Sequence, residues 1–209
     1  MLVDGEQATR PGMGVAVNAN LERKRSSPSY VGRGGDKLAP VLDELHLDVT
    51  GWRILDVGAS TGGFTDAVLR RGARQVVAVD VGRGQLHPNL ALRSEVVSLE
   101  GMDVRNANGL GAFDLVLVDV SFISLCLLVE TLASLRQGGA LLALVKPQFE
   151  VGQSALDKRG VVSDEAARTS AIERVCACFE TAGLDVEQVI PAGKAGKEGN
   201  QEFFLWVPA

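Results

Sequence analysis

Asp56-Val57-Gly58-Ala59-Ser60-Thr61-Gly62-Gly63-Phe64 is the stretch whose reading decides the fold. A short apolar run, residues 53–56, leads into it and reads as a buried strand. An amphipathic run, residues 64–71, leaves it and reads as a helix. Strand, glycine-rich turn and helix start make a site for a nucleotide-like ligand, because the first N–H groups of a helix have no partner inside it. Glycine is needed where the chain turns tightly and where a ligand lies against the backbone. A second acid, Asp80, closes the next apolar run, 80 − 56 = 24 residues on. That is close to the spacing at which a carboxylate meets a ribose hydroxyl in nucleotide-binding βαβ units.

The glycine pattern separates two ligands. A dinucleotide fingerprint needs a middle glycine against the pyrophosphate, and here Ser60 stands between Gly58 and Gly62-Gly63. A ligand with adenine and ribose but no pyrophosphate fits better, and S-adenosylmethionine is the common one. Its expected neighbours are Asp56, Gly58, Ala59, Ser60, Thr61, Gly62, Gly63 and Phe64 from the turn, Asp80 and Val81 from the next strand edge, and Asp119. A glycine-rich βα turn without a ligand is the plainer alternative, and the acid and its spacing argue against it.

With 209 residues the chain can hold one sizeable α/β domain and a short appendage. Hydrophobic residues at 46% and charged residues at 22% describe an ordinary globular protein. The longest apolar stretches, residues 115–120 and Ala140–Val145, have the length of interior strands and not of membrane spans. The start, Met1-Leu-Val-Asp-Gly-Glu6, has acids where a secretion signal needs basic residues. Cys126, Cys176 and Cys178 are odd in number and lie in apolar helical contexts, so free, mostly buried thiols in a reducing compartment are expected. Metal binding is not expected, with only His46 and His87 available beside them. The location expected is cytoplasmic.

The net charge of −5 speaks against a simple nucleic-acid surface. Residues 1–53 nevertheless carry seven Lys/Arg and seven Asp/Glu, so the acid excess lies wholly in the remainder. Arg23-Lys24-Arg25 and Arg33…Lys37 make a basic neighbourhood at the junction, which equally well reads as a solvated linker.

Further apolar runs at 95–99, 114–119 and 139–146 alternate with helical candidates at 84–92 and 124–136. Ser124 is a plausible N-cap of the latter and Gly138-Gly139 its stop. Residues 164–182 form a long amphipathic helix ended by Gly183. Two last runs, 184–190 and 202–207, have no helix between them and read as an antiparallel pair at a sheet edge. Repeated βα units imply a mostly parallel sheet with helices on both faces and ligands at the carboxyl ends of the strands. Residues 1–30 differ: Leu2-Val-Asp-Gly5 and Arg10-Pro-Gly-Met-Gly14 read as two short strands with tight turns, too small to bury a core alone.

Asp119 and Lys146 end two of these strands, so both sit at the carboxyl edge above the glycine turn. A lysine closing a buried strand must reach solvent or meet an acid. A purely structural Lys146–Asp119 ion pair is one reading of them.

Ser29-Tyr-Val-Gly-Arg-Gly-Gly-Asp-Lys-Leu38, DVGASTGGFTD, AVDVGRGQL, LVDVSFISL, LVKPQFEVG and GNQEFFLW, in that order, closely resemble the TlyA (hemolysin A) family of FtsJ-like ribose methyltransferases. The resemblance runs from about Tyr30 to Trp206. It implies a Rossmann-like class I methyltransferase fold in residues 29–209, S-adenosylmethionine as methyl donor, and 2′-O-methylation of RNA, with cytidine in rRNA or ribosomal subunits as the acceptor. The family's Lys-Asp-Lys-Glu tetrad falls on Lys37, Asp119, Lys146 and Glu202; Glu198 lies nearby, but the family's glutamate directly precedes the aromatic pair. Residues 1–28 resemble only the last portion of the family's RNA-binding module. Gly32 stands where the family usually has serine, and Met102-Asp103 where it has Thr-Asn. Asp103 is thereby expected to accept a hydrogen bond from the adenine amino group.

The resemblance implies a mechanism. A ribose hydroxyl attacks well only when its proton is removed or strongly hydrogen-bonded, and a neutral lysine can do this. Lys146 is expected as base or hydroxyl activator, Lys37 as a second cation in one cationic cluster, Asp119 as orienter, and Glu202 as partner to Lys37 or the ribose. Which lysine is the base stays open. Phe122 and Phe149 stack on a base or pack in the core, and Gly193-Lys-Ala-Gly-Lys-Glu-Gly199 reads as a flexible cationic loop along RNA or as a plain solvated one. Competing readings are a membrane-active hemolysin, which the lack of a span or basic amphipathic helix opposes, a small-molecule methyltransferase, and a non-catalytic RNA- or S-adenosylmethionine-binding module.

Overall fold

The computed structural model describes residues 2–3, 6–7, 13–16, 18–22, 30–196 and 198–209. The first strands, β1 (Leu2–Val3), β2 (Glu6–Gln7) and β3 (Leu21–Glu22), pair antiparallel in the order β2-β1-β3. The second strand expected at Arg10–Gly14 is not formed at Met13-Gly14, and its first residues lie outside the described ones, as do Arg23-Lys24-Arg25.

The main sheet has seven strands. Five are parallel: β4 (Arg53–Val57), β5 (Gln75–Asp80), β6 (Val96–Glu100), β7 (Leu115–Val118) and β8 (Ala140–Val145). β9 (Gln188–Pro191) and β10 (Phe203–Val207) complete it in the order β6-β5-β4-β7-β8-β10-β9, with β10 antiparallel to both of its neighbours. The expected edge hairpin is present.

Alternation along each strand builds two cores. Ile54, Val76, Leu115, Leu117, Leu142 and Phe204 face α1 (Arg33–Glu44) and α2 (Gly63–Leu69), whose Leu38, Val41, Phe64 and Val68 pack between them. Leu55, Val77, Val116, Val118, Leu141 and Leu205 face the other way, against Leu132 of α4 (Val129–Arg136) and Val175 and Phe179 of α6 (Glu165–Thr181). Two short helices, α3 (Pro88–Ala91) and α5 (Pro147–Glu150), lie at the carboxyl edge.

Three helical expectations change at their ends. The helix expected over 84–92 shrinks to α3, because the N–H groups of Gly84, Gln85 and Leu86 donate to the Glu100 carboxylate at 3.0, 2.6 and 3.0 Å instead of joining a helix. Ser124 caps a 3-10 turn, Leu125–Leu127, and α4 starts only after it. Asp164, expected inside the long helix, stands just before α6 as its cap, the side chain accepting from Ala166 N at 3.1 Å.

The expectation of three free thiols is overturned. Cys126 and Cys178 form a disulfide with Cα atoms 5.5 Å apart, and Cys176 is left half-buried with its thiol pKa raised by burial. The 3-10 turn after β7 packs on α6 and so brings together cysteines 52 residues apart, which an odd count of cysteines does not forbid. Among the described residues no helix is long and apolar enough to cross a membrane, and no group of three or more His, Cys, Asp or Glu side chains gathers that could hold a metal.

One carboxylate lies inside the sheet. Asp56 on β4 is fully buried, and its Oδ2 accepts from Thr65 N at 3.0 Å and Thr65 Oγ1 at 2.6 Å, tying the strand to the first turn of α2. Its Oδ1 has no hydrogen-bond partner. Burial pushes the pKa from 3.8 up to about 7, against the pull of the Thr65 hydrogen bond.

The sign of the resulting pH dependence follows. Between 3.8 and about 7 the unfolded chain has lost this proton and the folded chain keeps it, so stability falls as pH rises through that window and levels off above it. In urea titrations at several pH values, Asp56→Asn should remove this fall, leaving the variant more stable relative to the parent at pH 8 than at pH 4. A constant difference would contradict the buried-acid account. Cys178→Ser should lower the unfolding free energy under oxidising conditions by about 2–4 kcal/mol. In excess reductant the two proteins should converge.

Candidate active site

The chain leaves β4 toward β5 on one side of the sheet, while β7 and β8 continue on the other, so the loops after β4 and β7 diverge and open a crevice. Gly58 N donates to Val79 O at 2.8 Å and Asp119 N to Val57 O at 2.8 Å, which sets the two loops side by side. Gly58 has φ 82°, and a Cβ there would lie 2.6 Å from the Asp119 carbonyl oxygen. Only glycine lets these loops pass. At Gly63 an added Cβ would lie 2.9 Å from Gly35 N, so the start of α1 closes against the start of α2. At Gly32 an added Cβ would meet only the Thr61 hydroxyl closely, with the nearest backbone atoms at 3.5 Å, so a turn of the Thr61 side chain would make room.

Two cavities meet in the crevice. The first, about 460 Å³, has apolar walls from Val79, Met102, Val104, Val120, Ile123 and Leu128, with Asp80, Val81 and Asp103 at its rim. Asp80 holds the glycine turn, its Oδ2 accepting from Ser60 N at 2.8 Å and its Oδ1 from Gly82 N at 2.7 Å. Asp103 takes two hydrogen bonds from Arg105 Nε, at 3.0 and 3.1 Å, and one from its terminal nitrogen at 2.6 Å. Arg105 thereby lowers the Asp103 pKa to about 2, keeping it an anionic acceptor beside the slot. A flat apolar slot flanked by two carboxylates fits an adenosine.

The second cavity, about 800 Å³, holds Asp56, Gly58, Ala59, Ser60, Thr61, Gly63 and Phe64 together with Lys37, Asp119, Lys146 and Glu202. Asp56 lines it, and its buried Oδ1 has no hydrogen-bond partner and so keeps acceptor capacity. The donor set therefore fits S-adenosylmethionine, with its nucleoside toward the first cavity and its amino acid toward the second. Of the residues nominated for the cofactor, Gly62 alone lines neither cavity; it caps α2 at φ 91° and faces Leu86 and Leu90.

Four elements bring the tetrad together. Lys37 on α1 and Glu202 just before β10 pair at 2.5 Å, and Gln148 Nε2 donates to the other Glu202 oxygen at 3.2 Å. Lys146, ending β8, meets Asp119 Oδ1 at 2.6 Å and donates to Ser121 Oγ at 2.9 Å. The Lys146–Asp119 contact is an ion pair without hydrogen-bond alignment, so Asp119 Oδ1 keeps acceptor capacity. Lys37, Lys146 and Glu202 are all buried. Each ammonium thus has a carboxylate of its own, Glu202 partnering Lys37 and Asp119 meeting Lys146, because an unpaired buried charge is costly. Glu198 lines the same cavity, but Glu202 takes the lysine.

Phe122 does not pack in the core. It is 90% exposed at φ 65°, with its ring 5.0 Å from that of Phe149. An aromatic residue in the left-handed region is strained, and such strain collects at functional sites. The 193–199 segment is tethered where described: Lys194 pairs with Asp36 at 2.8 Å, and Arg33 donates to Ala195 O at 3.0 Å. Lys197 lies outside the described residues.

Sequence-based reading missed Ser121, Gln148 and Glu150. Ser121 follows Asp119 by two residues, a spacing that returns a side chain to the same side of an extended chain, whereas Gln148 reaches Glu202 from the first turn of α5. Glu150 is buried, accepts from Ser124 Oγ at 2.6 Å and Leu125 N at 2.9 Å, and so pins the loop after β7.

Residues 30–208 match the FtsJ-like methyltransferase family. The 16S/23S rRNA (cytidine-2′-O)-methyltransferase TlyA of Mycobacterium tuberculosis is 39% identical over 98% of this chain and 78% of that protein. Hemolysin A of Brachyspira hyodysenteriae is 32% identical over 97% of this chain and 86% of that protein. The structure of a candidate hemolysin from Streptococcus thermophilus superposes with a TM-score of 0.83 at 36% identity, over 98% of this chain and 76% of that one. The fibrillarin of Aeropyrum pernix, in complex with S-adenosylmethionine, shares the fold alone, with a TM-score of 0.57 at 17% identity over 83% of this chain and 76% of that one. With both fold and sequence matched over nearly its whole length, the chain belongs to the FtsJ-like methyltransferase family.

Proposed function

We propose that this methyltransferase transfers the methyl group of S-adenosylmethionine to a ribose 2′-hydroxyl of RNA, and that the acceptor is a cytidine of ribosomal RNA. The observation that carries the reading is the meeting of two lysine–carboxylate pairs in the larger cavity, which adjoins the apolar one at Gly58 and Asp119. The names of the Mycobacterium tuberculosis relative and of a 36% identical relative from Campylobacter jejuni, a 23S rRNA (cytidine-2′-O)-methyltransferase TlyA, support the acceptor. Residues 1–28 would then serve as the end of an RNA-binding module and residues 29–209 as the catalytic domain. Such an acceptor places the work in the cytoplasm.

When bound, S-adenosylmethionine supplies an electrophilic methyl carbon on a sulfonium. Lys146 Nζ, in its neutral form, takes the hydroxyl proton as the oxygen–carbon bond forms and the carbon–sulfur bond breaks. Asp119 and Ser121 aim Lys146 Nζ. Lys37, held by Glu202, presents its ammonium to the acceptor oxygen and favours the developing alkoxide. Gln148 fixes the rotamer of Glu202 and through it the reach of Lys37. Positioning supplies the rest, since in-line displacement demands alignment of nucleophile, carbon and leaving sulfur.

Lys146→Ala should lower the rate of methyl transfer to rRNA by about a hundredfold or more, the usual scale for loss of a general base. Its affinity for S-adenosylmethionine, measured by calorimetry, should stay near that of the parent. Labelled-methyl assays on naked rRNA, ribosomal subunits and small alcohols check both the base and the acceptor class. An equally active Lys146→Ala variant, or transfer only to small alcohols, defeats the proposal. Glu202→Gln should destabilise the fold by about 3–5 kcal/mol, because Lys37 is left buried without its counter-charge. The double variant Lys37→Met/Glu202→Leu should recover most of that loss in urea unfolding.

A further inference from the structure

The turn between α5 and α6 plays no part in the chemistry above, yet it faces the same cavity. Arg159 stands at its tip and lines the larger cavity together with Lys37, Lys146, Asp119 and Glu202. The turn is built to hold its shape. Asp157 Oδ1 accepts from Arg159 N and Val161 N, both at 2.8 Å, while Asp157 N donates to Val161 O and Gly160 N to Asp157 O, both at 2.9 Å. These backbone donors, led by Val161 N, hold the Asp157 pKa below its ordinary value, so the turn keeps its shape at neutral pH.

Asn200 locks this turn to the tetrad. Its side chain is buried, accepts from Val162 N at 3.0 Å and donates to Gly160 O at 2.9 Å. Two residues later the same segment supplies Glu202, which holds Lys37. The turn that carries Arg159 is therefore held by the same segment before β10 that supplies Glu202.

The guanidinium itself is only loosely held. It is 75% exposed, and its contacts with the Asp157 carboxylate are long, at 3.3 and 3.4 Å. Glu198 is the other acid on that part of the rim. Both tetrad lysines already have carboxylate partners, so neither is left to answer the phosphates that flank a target ribose. Arg33 shares the cavity wall but donates to Ala195 O. A planar guanidinium fork, exposed and weakly paired, is the group suited to a phosphodiester.

We infer that Arg159 grips a backbone phosphate of the acceptor strand beside the target nucleotide, and that Asn200 is the positioning residue that holds it there. This rests on the RNA-acceptor reading above. It assigns substrate binding, and not the methyl-transfer step, to the turn.

The test measures methyl transfer to naked rRNA and to ribosomal subunits at several salt concentrations. Arg159→Gln should raise KM for the RNA about tenfold at moderate salt, leave kcat within about twofold, and leave S-adenosylmethionine affinity unchanged. The slope of log(1/KM) against log[salt] should become shallower by about one unit, as for a single lost phosphate contact. Arg159→Lys should restore the slope and only part of the affinity. Asn200→Ala should raise KM in the same way, and the double variant Asn200→Ala/Arg159→Gln should be no worse than Arg159→Gln. An Arg159→Gln variant with parental KM and slope overturns the inference while leaving the RNA reading intact. So does one that loses kcat and cofactor affinity together, which would mark a structural role. A parent that transfers no methyl to any rRNA overturns both.

Discussion

The close passage of the loops after β4 and β7 is the constraint on which the rest of the site depends. With a side chain at position 58, the Asp119 carbonyl would have to move, and with it the Asp119 carboxylate and its partner Lys146. The same contact separates the two cavities, since Gly58 and Asp119 lie in the walls of both. The apolar cavity and the one that holds the tetrad are thus two sides of one backbone contact, and Asp119 is the tetrad member that lines both. The geometry needed for in-line transfer comes from the sheet, whose parallel strands fix both loop origins by continuous ladders.

Around that contact the loop following β7 is held more firmly than a surface loop needs to be. Ser121 is tied to Lys146, Ser124 and Leu125 to Glu150, and Cys126 to Cys178 on α6. Phe122 sits between these anchors with its ring outside the core and its backbone in a strained region. A loop pinned on both sides can carry such strain, because relaxing it would break several buried hydrogen bonds at once.

Much of this was legible in the residues, and what escaped did so for physical reasons. Strands β5, β7 and β8 could be read because they are buried on both faces and so appear as nearly unbroken apolar runs. Asp80 was legible as the acid facing the glycine turn because a βα unit leaves one spacing for it, whereas its hydrogen bond from Ser60 N appears only in the structure. The helix expected over 84–92 misled because its apolar spacing is real, while a single distant carboxylate, Glu100, takes the N–H groups that would have started it. The Cys126–Cys178 bond escaped because it depends on the packing of a 3-10 turn against α6, and no periodicity reports tertiary packing. Arg159 and Asn200 escaped for the same reason: Arg159 lies in none of the motifs, nothing in GNQEFFLW tells what Asn200 touches, and their proximity to the tetrad arises only when the 157–162 turn meets the segment before β10.

The pairing of the tetrad also bears on how a chain with a net charge of −5 can serve a polyanion. Two lysines, Asp119 and Glu202 sum to zero, so the reacting centre itself exerts little long-range pull on RNA. Attraction must then come from cations at the rim, and these need to be exposed and weakly paired to exchange a protein carboxylate for a phosphate. Burying the lysines instead keeps them from being spent on phosphates and holds each in one rotamer against a carboxylate. The separation has a chemical logic. A phosphate beside Lys146 would add a second anion to Asp119 and favour the ammonium form further, against the task of a base. Keeping phosphate recognition on a turn outside the tetrad, and proton transfer on Lys146 within it, lets each charge be set for its own task.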